Sequence, residues 1–499
     1  MNLVRCHGHL ESLEPGSPTD DPLVARETSS LTHFSRLPGD ELTPLLAGIA
    51  VYVSMQLILG VIASRRVSTE DDYLIAGRTL GPVLTTFTVF ATWFGAETCI
   101  GAAGAVYTDG LIGGTADPFG YGICILLAGA LLAGPLWRMK LTTLGDLFQR
   151  RFDVTVERVA VFLMVPTSLF WAAAQIKAFG QVLSSAGGFD LDIAITIAAL
   201  IVITYTMFGG LLADAWTDLV QGVVLLIGLI ALFWAVIQAE GWSIFQGIAP
   251  DRLTISDGGS RSILAVIEDW AIPVVGSLVA AEVVARMIAA RSPEIARRAT
   301  ITAGGLYLLV GLIPVSLGLL GAGLVPGLVE GEQILPELAS RYLPTFLAMI
   351  FTGALVSAIL STVDSALLVS AGLLSHNIVG RFRPDMTERG RVRLARGFVA
   401  GFGLLAYVMA FHAERVYDLV EQASAFGSSG IVVVVLFGLF SSMGGPLCAL
   451  CSLVAGVSVW IASEYVLGLS YPYLTSLGSA LVGYLTPLLM GLDRHGRST

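Results

Sequence analysis

Residues 82–108 read PVLTTFTVFATWFGAETCIGAAGAVYT. The stretch is long enough to cross a bilayer, which takes about 20 mostly apolar residues, but an uninterrupted membrane helix would not choose it. Phe94-Gly95-Ala96-Glu97, followed by Gly101 and Gly104, puts glycines and a carboxylate at mid-depth. Each glycine weakens a helix, and a carboxylate there costs about 2.5–3.5 kcal/mol even on a lenient insertion scale. A second stretch, residues 263–289, reads ILAVIEDWAIPVVGSLVAAEVVARMIA and carries Pro273 and Gly276, then Glu282. Broken hydrophobic segments at corresponding places in two halves point to an inverted repeat, with freed backbone groups near the midplane available to ligands. Glycine and proline are common in any membrane helix, so on this pattern alone two simply interrupted spans remain open.

The rest of the chain supports a membrane setting. Of 499 residues, 55% are hydrophobic and only 13% charged, against about 25% charged in a soluble domain. Long apolar runs fall at roughly 42–64, 82–108, 117–137, 156–183, 190–208, 212–238 and 263–289, then 298–324, 345–378, 394–412, 417–440, 446–466 and 472–490. The expectation is therefore an all-α integral membrane protein of about 13 transmembrane helices. Its division would be a disordered polar tail (1–40), an extra N-terminal helix (41–66), a ten-helix core (80–440, with repeats 82–238 and 263–440), two further helices (446–490) and a tail (491–499). Twenty of the 28 Lys and Arg fall in one alternating set of loops, and only Arg252, Arg261, Arg341 and Arg415 in the other. The positive-inside rule then predicts the N-terminus outside and the C-terminus in the cytoplasm, in a bacterial inner membrane. A net charge of −10 gives no reason to expect nucleic acid. Cys448 and Cys451 have CxxC spacing but no further Cys or His nearby, so the cysteines read as packing residues and no cofactor is expected.

Motifs narrow the reading. Ala76-Gly77-Arg78-Thr79-Leu80-Gly81-Pro82, Gly104-Ala105-Val106-Tyr107, Gly209-Gly210-Leu211-Leu212-Ala213-Asp214-Ala215-Trp216-Thr217-Asp218-Leu219-Val220-Gln221 and Ser361-Thr362-Val363-Asp364-Ser365 occur in order along the chain. Together they resemble the solute:sodium symporter family. Phe90-Ala91-Thr92-Trp93, Phe170-Trp171-Ala172-Ala173-Ala174 and Asp364-Ser365 are most similar to its high-affinity choline transporter branch. The resemblance implies a leucine-transporter-type core of five-plus-five helices, with one helix before it and two after. It implies uptake of a small organic solute coupled to Na+ by alternating access.

Ala358, Ser361, Thr362 and Ser365 fall at i, i+3, i+4 and i+7 and so share one helical face. A hydroxyl stripe of this kind can satisfy itself on carbonyls one turn back, or it can offer the oxygens that a hard cation wants. The family's common sodium site, carried over residue by residue, would use the side chains of Ser361 and Thr362 and the backbone oxygens of Ala358, Ala91 and Phe94. A possible second sodium corresponds to Asp218, Ser361, Asp364 and Ser365. For the solute, Trp93 and Trp171 match positions of an aromatic cage in the choline branch. The third aromatic has no counterpart, since Ala280 aligns there. Lys177 adds a positive charge near Trp171, while Glu97 and Glu282 could each pair with an ammonium. A choline-like amine or quaternary ammonium is the first expectation, and a zwitterion such as proline is the rival. The partners expected are the solute, Na+ and membrane lipid, with the carrier acting as a monomer. An embedded enzyme is not expected, because no HExxH, GxSxG or carboxylate–histidine cluster occurs. A transporter-like sensor stays open, although the nine or so residues after the last expected span leave no room for a signalling module.

Overall fold

The computed structural model describes residues 39–65, 67–188, 190–255, 262–413 and 416–492. The polar tail expected at 1–40, apart from its last two residues, and all but the first two residues of the C-terminal tail lie outside them. The chain runs through α1 (Gly39–Ser64), α2 (Pro82–Trp93), α3 (Glu97–Arg138), α4 (Val154–Gly187), α5 (Leu191–Glu240) and α6 (Ile263–Ala289). It continues as α7 (Pro293–Leu324), α8 (Thr345–Phe382), α9 (Glu388–His412), α10 (Leu419–Phe440), α11 (Pro446–Leu467) and α12 (Pro472–Leu489). Short helices Glu70–Ile75, Gly145–Arg151 and Ile334–Tyr342 lie between them.

Local chemistry sets the helix ends. Asp153 and Ser292 cap α4 and α7 by accepting from Val156 N (2.8 Å) and Ile295 N (3.2 Å). Pro293 stands in the first turn of α7, where its missing N–H costs nothing. Gly188, at φ +63°, closes α4 in the left-handed conformation.

Among the described residues, nine stretches are long and apolar enough to cross a membrane. They do not reproduce the expected count of thirteen one for one. α3 has 42 residues and α5 has 50, each more than one crossing needs. The expected spans 190–208 and 212–238 are joined in α5 through a bend at Gly210. There φ is +68° and a Cβ would lie 2.8 Å from the Tyr73 ring, so only glycine makes that bend against that neighbour. α2, with 12 residues, falls short because it stops at the break.

The breaks position the site. α2 stops at Trp93, Phe94 and Gly95 are not helical, and α3 resumes beyond them. α6 opens after Gly276 and becomes helical again at Ala281. The two broken elements are tied at one end, where Leu80 N donates to Ala289 O (3.2 Å) and Arg291 N to Leu80 O (2.9 Å). α2, α4, α5 and α8 pack through small residues, including Ala91, Ala172–Ala174, Ala354 and Ala358, all buried, as close backbone approach in a membrane requires. Apolar side chains on the outer faces, such as Leu200 and Trp234 of α5 and Leu404 and Val408 of α9, are exposed and suit a lipid surround.

One end of the bundle is closed by an ion network. Arg381 of α8 donates to Glu157 Oε1 (2.7 Å) and Asp146 Oδ1 (3.2 Å), and Asn377 Nδ2 reaches the same two oxygens at 2.8 and 3.1 Å. His376 bridges Asp146 and Glu70, and Arg391 of α9 holds Glu70 at 3.2 Å. Asp146 also accepts the Thr142 and Thr143 backbone N–H groups at 2.8 and 3.2 Å. Burial raises its pKa, but the hydrogen bond and charge of His376 and these N–H groups outweigh that and hold it at about 2.

Candidate cation and solute site

At the first break, no backbone N–H among the described residues donates to Ala91 O or Phe94 O. Both are carbonyls that a continuous helix would have used. α8 faces the break. Thr362 Oγ1 donates to Ala358 O (3.2 Å), the self-satisfied arrangement, while standing 2.6 Å from the point where a Gly95 Cβ would sit. The structure thus brings Ala358, Thr362 and the break together. Ser361 points another way, with Oγ donating to Asp218 Oδ1 at 2.5 Å.

Asp218 is fully buried and also accepts from Thr88 Oγ1. The other residues read as a second sodium site are partly committed elsewhere. Thr206 Oγ1 donates to Asp364 Oδ1 (3.2 Å). Ser365 receives a hydrogen bond from Arg286, whose guanidinium also pairs with Asp214. Arg286 is fully buried and Asp214 nearly so. Sequence reasoning passed over Asp214, although an Asp and an Arg at depth each imply a partner. Glu282 lies one helical turn before Arg286 on α6. The contact that exists is from Arg286 Nη1 to the Glu282 backbone oxygen (3.3 Å), because Asp214 claims the guanidinium.

Beside the second break lies a small cavity of about 30 Å³, lined by Ser168 and Trp171 of α4, Ser277, Ala280 and Glu282 of α6, and Ser424 of α10, among others. No Lys, Arg or His among the described residues lines it. Glu282 is buried and accepts from Ser168 Oγ at 2.5 Å. Trp171 stacks on Trp93 with centroids 6.4 Å apart and planes 12° from parallel. Tyr121 meets both edge-on, at 5.7 Å from Trp93 and 6.0 Å from Trp171. The two expected tryptophans therefore come together, and the third ring beside them is Tyr121 of α3. No motif marks that residue, and its hydroxyl lies 2.8 Å from Ser424 Oγ.

Glu97 and Lys177 fall off the cavity. Lys177 Nζ donates to Ala413 O at 2.7 Å, just past the end of α9. Glu97 is buried behind the first break, and its Oε2 accepts from Gln175 Nε2 (2.7 Å).

A sequence profile described as the sodium:solute symporter family matches residues 73–456. The chain is 27% identical to the high-affinity choline transporter 1 of Caenorhabditis elegans, over 79% of this chain and 72% of that one. It is also 27% identical to the sodium/proline symporter of Escherichia coli (strain K12), over 84% of this chain and 88% of that one. Among solved structures it is similar to a Na+-coupled sialic acid symporter in a substrate-bound outward-open state. That TM-score is 0.77 at 19% identity, covering 89% of this chain and 98% of that one, a likeness of fold.

Proposed function

This chain belongs to the sodium:solute symporter family, and from that premise we propose that the solute it carries is a positive amine or quaternary ammonium compound. It is a sodium-coupled transporter and not an enzyme, a multi-pass protein of the plasma membrane with the leucine-transporter-type fold. The observation that carries the solute assignment is the cavity itself, which Glu282 and Trp171 both line and into which no basic side chain among the described residues intrudes. A carboxylate supplies the counter-charge at depth. An aromatic face adds about 2 kcal/mol for a desolvated cation, and Trp93 and Tyr121 hold that face in place. The ammonium of Lys177, which could have met the carboxylate of a zwitterion, is engaged by the Ala413 carbonyl. Likeness to a choline transporter supports the same choice.

The coupling ion, in this proposal, sits between α2 and α8 on the oxygens of Ala91, Phe94, Ala358 and Thr362, with Ser361 adjoining. A second cation is accommodated around Asp218, with Ser361, Asp364 and Ser365. Sodium bound there favours the outward-facing state because it holds α2 to α8, and a ligand shifts an equilibrium only through differential affinity. Each ion moving inward releases about 2.3 kcal/mol per 100 mV before any concentration gradient. The carrier works as a monomer with its N-terminus outside.

A stability screen of the purified protein against amines, quaternary ammonium compounds, amino acids and sugars, each with and without sodium, tests the assignment. Sodium-dependent stabilisation by the cationic solutes, lost in Glu282→Gln, is expected. Stabilisation by proline-like zwitterions or sugars with none by amines refutes it.

A further inference from the structure

Glu97 plays no part in the solute cavity, and its surroundings suit a different task. Its Oε2 accepts from Gln175 Nε2, while Oε1 is buried with no hydrogen-bond partner among the described residues. No Lys, Arg or His forms an ion pair with it among the described residues. The other carboxylate nearby, Asp117, is taken up by Thr98 Oγ1 (2.7 Å) and Tyr307 OH (3.0 Å). A buried carboxylate with an idle oxygen and no positive neighbour calls for a cation or a proton.

A second oxygen donor stands beside it, across Gly95. A Cβ on Gly95 would lie 2.6 Å from Glu97 Oε2, 2.6 Å from Thr362 Oγ1 and 3.0 Å from Glu97 Oε1. A side-chain carbon would crowd these oxygens, which only glycine lets approach the break together, and both are close enough to share one hard cation, which takes oxygens at about 2.3–2.6 Å. The unclaimed carbonyls of Ala91 and Phe94 belong to the same break. Ser361, turned to Asp218, does not serve it.

We infer that Glu97 is a charged ligand of the coupling sodium ion, taking the place that Ser361 gives up to Asp218. This rests on the sodium site proposed above. The ion is held as a neutral pair, and the pair reaches the solute cavity through one side chain. Gln175 joins Glu97 to Ala96 N (3.1 Å) and stands one helical turn beyond Trp171 on α4. Sodium at Glu97 thereby steadies the helix that presents Trp171.

The test is a NaCl titration of the purified parent, Glu97→Gln, Thr362→Ala and Gly95→Ala proteins. Ionic strength is held constant with KCl, no solute is present, and melting temperature and tryptophan fluorescence are read. Glu97→Gln is expected to raise the half-saturating sodium concentration at least tenfold while melting in KCl alone at or above the parent, since an uncompensated buried charge has been removed. Gly95→Ala, whose methyl would push the Glu97 carboxylate and the Thr362 hydroxyl apart, loses the sodium response. If Glu97→Gln does not fold, Glu97→Asp, which withdraws the carboxylate by one methylene, is read in the same way. Weakened sodium binding in Thr362→Ala with none in Glu97→Gln overturns the role of Glu97 and leaves the site standing. No change in either variant overturns the site as well. An effect of Glu97→Gln confined to solute affinity at saturating sodium returns Glu97 to the solute and refutes the inference.

Discussion

Removing Arg286 should leave a carboxylate stranded inside the bundle, and the size of the penalty follows from the contacts. Its guanidinium is fully buried, pairs with Asp214 and donates to Ser365. Only one oxygen of Asp214 is engaged, since Oδ1 and Arg286 Nε have no hydrogen-bond partners, so the pair is not a bidentate fork. Breaking a buried pair costs about 3–5 kcal/mol, because the surviving charge is uncompensated, and the single-contact geometry places this one near the lower figure. Arg286→Met and Asp214→Leu should therefore each destabilise by about 3 kcal/mol, while the double variant, with no charge left over, should recover about 2 kcal/mol or more of their sum. Unfolding of the four proteins in one detergent, followed by tryptophan fluorescence and by protease resistance, gives the coupling energy. A loss of 3 kcal/mol corresponds to a roughly 150-fold larger open population, well within reach of proteolysis. Additive losses, with coupling under about 0.5 kcal/mol, would refute the claim that the two side chains neutralise each other.

Further outcomes are expected elsewhere in the molecule. Replacing Ser361 and Thr362 together by alanine should raise the sodium concentration needed for uptake at least tenfold, about 1.4 kcal/mol, with protein abundance unchanged; unaltered sodium dependence would sink that assignment. Arg381→Gln leaves the buried Glu157 without its guanidinium, so the closed end should open more often, and labelling of a Ser277→Cys variant from the cytoplasmic side should rise severalfold. Asp146, held at about 2 against an ordinary value of 3.8, contributes stability that is complete above pH ~4 and is lost as pH falls through about 2. The loss of about 2 kcal/mol over that window should disappear in Asp146→Asn, as melting between pH 4 and pH 2 will report. A tag at the C-terminus should be cytoplasmic and one near residue 30 external; both on one side would contradict the orientation taken from loop charge.

The breaks were legible because glycines and a carboxylate at mid-depth leave few other arrangements. The hydroxyl stripe of α8 could be read because helical spacing alone puts Ser361, Thr362 and Ser365 on one face. What could not be read depends on which remote group a side chain finds. Asp214 and Asp218, four residues apart, share a face of α5, but nothing in that segment says that Arg286 of α6 meets the first while hydroxyls of α2 and α8 meet the second. The same holds for Lys177, which finds a carbonyl past the end of α9, and for Tyr121, which supplies an aromatic ring beside the tryptophans. Gly209-Gly210 looked like a boundary between two spans. There the backbone leaves helical geometry at Gly210 (φ +68°, ψ +168°), so a kink separates two helical segments.

Whether a sodium gradient drives accumulation of a cationic solute through a site built on Glu282 and Trp171 can be measured in proteoliposomes. The measurement is uptake of radiolabelled choline as the quaternary ammonium probe, under an inward NaCl gradient and under an equal KCl gradient, for the parent and Glu282→Gln proteins. Accumulation above equilibrium is expected with sodium alone, enhanced by an inside-negative potential and abolished in Glu282→Gln, with excess unlabelled amines competing. Equal filling in sodium and potassium, or sodium-driven uptake that proline or sugars compete away while amines do not, would contradict it.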